Sequence, residues 1–170
     1  MQGVIKGIHE SLQELIGLHR QLLDTVRLEK DALVSADVKS IQDVTVAKES
    51  LIAAIQQAEL FRFRRVAELA AAWLRPMSEM TLSKIAIEVQ RTDLAAADLL
   101  RSSLTTLTLL VERIAEQNGE NRTLVESSLQ HVSNMKANVL GESDRASSTY
   151  AQDGQRTGPS GRSRLISREA

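Results

Sequence analysis

Residues 92–140 read TDLAAADLLRSSLTTLTLLVERIAEQNGENRTLVESSLQHVSNMKANVL, and this stretch decides the fold. Leu100, Leu104, Leu107, Val111, Ile114, Asn118, Asn121, Val125, Ser128, Val132, Met135 and Val139 follow one another in alternating steps of four and three. Such spacing lines one seam along a helix and repeats every seven residues, as in coiled coils. No proline interrupts it, so a helix of roughly 70 Å is permitted. The seam is aliphatic at first, meets Asn118, Gly119 and Asn121 in its middle, and then turns apolar again. A helix with this seam needs other helices to cover it.

Those helices precede it. Ile5, Ile8, Leu12, Leu15, His19, Leu22, Val26 and Leu33 advance largely in the same steps, with Glu29 filling one charged gap. They predict a first helix over 4–34, its stripe widened by Ile16 and Leu23. Ser35-Ala36-Asp37 breaks the pattern, and Asp37 or Ser40 can cap a new helix. Ile41, Val44, Leu51, Ile55, Ala58, Phe61 or Arg62, Val66, Leu69 and Trp73 carry a second helix over 38–75. Arg75-Pro76 ends it, because the residue before proline is pushed out of the helical region. Thr81 caps a third helix over 81–140, in which Thr92-Asp93 is either a minor break or an exposed polar step. Short turns make the first two helices antiparallel neighbours.

The expected fold is therefore all-α: an antiparallel three-helix bundle of long, coiled-coil-like helices in a domain spanning 1–140. The length of the second helix places its far end opposite Gln117 or Asn118. Val125, Ser128, Val132, Met135 and Val139, flanked by Leu124 and Leu129, should then overhang the bundle. An uncovered apolar stripe marks a docking surface, for another protein or for a second copy of the chain. From Gly141 the composition changes to Ser, Gly, Asp, Arg and Gln, so residues 141–170 are expected to form a disordered tail. Tyr150 stands in that tail as an anchor for a second partner.

Composition removes several functions. A net charge of −1 provides no field for nucleic acid or an anionic membrane. With no cysteine, disulfides and thiolate metal sites are excluded. Lys6 and Glu10 near the N-terminus argue against a signal peptide. The uncharged run Ser102 to Val111 is about half a membrane span, so a cytoplasmic protein without membrane insertion is expected. No histidine has Glu three residues before it, as di-iron bundles require, and no phosphate-binding glycine loop or nucleophile elbow occurs. Neither enzymatic activity nor a cofactor or metal is expected.

Two local features have competing readings. His19 lies on the first seam, where a phosphoacceptor of a four-helix phosphotransfer domain would sit. Such domains carry a Lys-Gly pair shortly after the histidine, whereas His19 precedes Arg20-Gln21-Leu22. A half-buried, hydrogen-bonded histidine is the simpler reading. Phe61-Arg62-Phe63-Arg64-Arg65 interleaves aromatic and basic residues like a nucleic-acid platform. On a helix Phe61 and Arg65 share a face and Phe63 lies across from it, so one core aromatic among solvated arginines is expected.

Asn121-Arg-Thr-Leu124-Val125-Glu-Ser-Ser128-Leu129, then Val132, and later Ser148-Thr149-Tyr150-Ala-Gln-Asp-Gly154, resemble the C-terminal signature of FlgN-type flagellar export chaperones. Val125 stands where that family has its second Leu. Leu22-Leu23, Glu29-Lys30, Ala32-Leu33, Asp37, Ile41 and Lys48 resemble its N-terminal pattern. The resemblance implies a cytoplasmic chaperone of the type III export pathway that binds the C-terminal helical region of the hook–filament junction proteins FlgK and FlgL. It implies that the chaperone prevents their premature assembly and delivers them to the export gate. The overhanging seam, Asn121, Leu124, Val125, Ser128, Leu129, Val132, Met135 and Val139, is then the expected substrate-protein surface, and by the resemblance Tyr150 contacts the gate. The alternative is a homodimeric or larger coiled-coil adaptor, structural or regulatory.

Overall fold

The computed structural model describes residues 2–147, with side chains described for 2–140. Among the described residues four α-helices follow one another: α1 (Gln2–Ser35), α2 (Val38–Ala72), α3 (Leu82–Val89) and α4 (Leu94–Ser147), with a 3-10 turn at Met77–Glu79. No strand occurs among the described residues. The chain divides into two units, Met1–Val125 and Glu126–Ala170.

The breaks between helices have local causes. Ala36 adopts a left-handed φ of 52°, and the Asp37 amide reaches back to Ala32 O at 3.1 Å, which closes α1. Asp37 then caps α2, its carboxylate accepting from the Lys39 and Ser40 amides and, at 2.6 Å, from Ser40 Oγ. The Ser40 hydroxyl is the main reason this carboxyl titrates below its ordinary value. The same closure ends α2 earlier than the proline requires: Leu74 takes φ 51° and the Arg75 amide bonds Ala70 O at 3.0 Å. The Thr81 hydroxyl accepts from the Lys84 amide and starts α3, as expected. The expected single helix over 81–140 is two helices, because the Asp93 carboxylate accepts from the Ala96 amide at 3.0 Å and restarts the ladder.

In Met1–Val125, α2 runs antiparallel to α1, while α4 runs parallel to α1. Gln13 meets Ser103, and Val26 meets Asn121 further along both helices. One core cluster joins Ile8 and Leu12 of α1, Val66 and Leu69 of α2, Ile85 and Val89 of α3, and Ala97 and Leu100 of α4. A second joins Ile16, Leu22, Leu23 and Val26 of α1 to Leu110 and Ile114 of α4, with Leu51 and Ile55 of α2 packed on it. Small polar groups lie between them: buried Ser103 donates to Leu99 O at 2.8 Å and accepts from Gln13 Nε2 at 2.9 Å. By length and composition alone α4 could cross a membrane. In the bundle Ala97, Leu100, Leu110 and Ile114 of this helix enter the two cores, while Leu94, Leu99, Leu109 and Val111 stay exposed.

Two packing expectations change, and the simpler reading of His19 holds. On α4 the position facing the core is Leu110, 9% exposed, and Val111 points outward at 47%. Both bracket the ideal helical position, and the wider Leu fills it against α1. Neither Phe61 nor Phe63 enters the core, at 43% and 56% exposed. Arg65 instead lays its guanidinium 4.9 Å from the Phe61 ring centroid. Its side chain covers Gly7, where an added Cβ would meet Arg65 Nε at 3.3 Å. His19 is half-buried and Nδ1 donates to Leu15 O at 2.7 Å, so the imidazole serves its own helix.

In Glu126–Ala170 the described backbone is α4 through Ser147, seven residues past the expected helix end at 140. Every side chain from 126 to 140 is exposed.

Candidate partner-binding surface

The apolar seam of the bundle ends in a polar layer that ties three helices together. Lys48 Nζ of α2 lies 2.7 Å from Glu29 Oε2 of α1 and donates to Asn118 Oδ1 of α4 at 3.0 Å. Asn121 Nδ2 donates to Val26 O and to Glu29 Oε2, both at 2.9 Å, and Gln117 Nε2 donates to Asn121 Oδ1 at 3.4 Å. At the rim Lys30 pairs with Glu120 at 2.8 Å. The Lys30 hydrogen bond, then its charge, hold the Glu120 carboxyl below its usual range. A partly buried ion pair tolerates desolvation when its remaining valences are met, and here the two asparagines meet them.

Asn121 is 4% exposed, with both amide hydrogens and its carbonyl engaged. The structure thus separates it from the other residues of the expected substrate surface. Leu124 is half-buried, and Val125 is 39% exposed at the end of the first unit.

In the second unit the expected positions do share a face. Leu129, Val132, Met135 and Val139 are all more than half exposed, and Ser128 is exposed beside them. Leu140, absent from the expected set, is 56% exposed. At 3.6 residues per turn these five apolar side chains fall within an arc of roughly 140°. Gln130, Asn134 and Asn138 occupy the opposite side. The stripe offers branched methyls and one adaptable thioether, and among residues 126–140 no polar side chain other than those of Ser128 and Lys136 lies within its arc. No group of three or more potential metal ligands occurs among the described residues. Tyr150, expected to contact the export gate, lies outside the described residues.

The polar layer itself had a legible signal. Glu29 and Lys48 each occupy a position where their helices' apolar steps call for an aliphatic residue. Two opposite charges at such gaps on antiparallel neighbours mark a cross-helix pair.

Neither a curated protein nor a solved structure matches the chain significantly. The model of a protein family described as FlgN protein matches residues 1–158. The chain belongs to the FlgN family. FlgN proteins are chaperones of flagellar export, and membership assigns this chain to that class. The all-helical bundle agrees with that assignment.

Proposed function

We propose that this FlgN protein is a cytoplasmic export chaperone for the hook–filament junction proteins FlgK and FlgL, and that the distal part of α4 receives their C-terminal helical region. The observation that carries the reading is the uncovered stripe of Leu129, Val132, Met135 and Val139 on a helix, all exposed. A substrate helix lays its own apolar face along this stripe, with Ser128 setting register. While bound, that substrate helix is withheld from assembly. Tyr150 then serves delivery by contacting the export gate.

Asn121 supports the surface without touching the substrate, since its amide hydrogens are spent on α1 and its carbonyl on Gln117. Val132→Asp combined with Met135→Asp places two carboxylates in the stripe and abolishes binding of the FlgK and FlgL C-terminal segments. The thermal midpoint of the bundle stays unchanged, because neither side chain is buried in it. Undiminished binding by the double variant rejects this surface.

A further inference from the structure

The apolar stripe contains one charge. At 3.6 residues per turn Lys136 lies inside the arc defined by Leu129, Val132, Met135, Val139 and Leu140 rather than at its edge. Its helix-surface neighbours four before, three after and four after are Val132, Val139 and Leu140, and only Ser133, three before, is polar. None of the ion pairs among the described residues involves it.

From this placement, and resting on the function proposed above, we infer that Lys136 selects the partner: the helix that docks on the stripe carries a carboxylate within its own apolar face, opposite Lys136. A helix covering Val132, Val139 and Leu140 also covers the stem of Lys136 and removes water from around its ammonium. With no acceptor across the interface that desolvation opposes binding, whereas an opposed Asp or Glu converts it into a charge-assisted hydrogen bond. A single polar residue within an apolar seam likewise fixes register in helix pairing.

The same lysine argues against a second copy as occupant. Parallel, in-register pairing of two stripes sets Lys136 against its own counterpart. Antiparallel pairing centred between Leu129 and Leu140 brings the two lysines within about one turn of each other. Both arrangements put like charges into an apolar interface, which is unfavourable.

The test is calorimetric titration of the full chain, as wild type, Lys136→Gln and Lys136→Glu, with synthetic C-terminal helical segments of FlgK and FlgL, at low and high salt. At low salt Lys136→Glu weakens binding roughly tenfold and Lys136→Gln a few-fold, and high salt narrows the differences. Unchanged helicity and thermal midpoint accompany both, since Lys136 is exposed. Lys136→Glu binding as tightly as wild type at low salt overturns the inference while leaving the chaperone surface standing. Wild-type chain that binds neither segment removes the surface reading, and the inference with it. A stable wild-type dimer strengthened by Lys136→Glu overturns it in favour of a second copy.

Discussion

Replacing Asn121 by Ala separates a structural from a binding role for this residue. Asn121 Nδ2 makes two bonds that the variant loses, to Val26 O and to Glu29 Oε2, each 2.9 Å long. The neutral one contributes about 1 kcal/mol and the one to a carboxylate about 2 kcal/mol. Lys48 remains on Glu29 at 2.7 Å, so no charge is stranded and the penalty does not grow further. The bundle should lose about 3 kcal/mol, which lowers its urea midpoint by about 2 M if the slope is near 1.5 kcal/mol/M. Urea titration followed by helical circular dichroism measures this directly. Below the transition the variant should bind the FlgK and FlgL segments as tightly as wild type, because residue 121 faces α1. An unchanged midpoint with lost binding refutes the reasoning and makes Asn121 a contact residue.

Other positions give sharper or simpler tests. Leu69 is fully buried where α1 to α4 meet, so Leu69→Ala should cost 2–5 kcal/mol in chemical denaturation, roughly as deep core truncations do elsewhere. Ala36→Gly and Leu74→Gly each relieve a left-handed non-glycine residue and should raise stability by roughly 0.5–1 kcal/mol in the same assay. Asp37→Ala removes the α2 cap and should lower the thermal midpoint. The Asp37 carboxyl is held low in the folded chain by Ser40, so the cap's advantage is present above the unfolded carboxylate pKa. That advantage disappears as pH falls through the lower folded value, and a wild-type minus Asp37→Ala difference that persists there contradicts the account.

The heptad spacing of hydrophobic residues made the architecture legible: three-four steps placed α1 and α2 within two or three residues of their ends and named most of the core. Asp37 and Thr81 were recognisable as caps because a side-chain oxygen before an apolar run has free amides to satisfy. The end of α2 was less legible, since Leu74 adopts a backbone conformation that sequence reserves for glycine. Phe61 misled because an aromatic at a seam position reads as core, whereas Arg65 is long enough to cover both its ring and Gly7 from outside. Asn121 is the instructive case on α4. Its place in a C-terminal signature pointed to partner binding, yet the same spacing that continues the seam past Ile114 turns it inward toward Glu29 and Lys48. Periodicity located the stripe from Leu129 to Val139, but only the positions of the neighbouring helices tell where burial stops.

The proposed function has the distal part of α4 receive a junction-protein helix. Its most direct test is calorimetric titration of the full chain with the C-terminal segments of FlgK and FlgL, with the Val132→Asp/Met135→Asp chain as control. Docking on the stripe gives a saturable one-to-one complex with a negative heat-capacity change, as burial of an apolar stripe requires, and that complex is lost in the control. Binding that is equal in both chains, or absent from both while sedimentation shows a stable dimer, contradicts it.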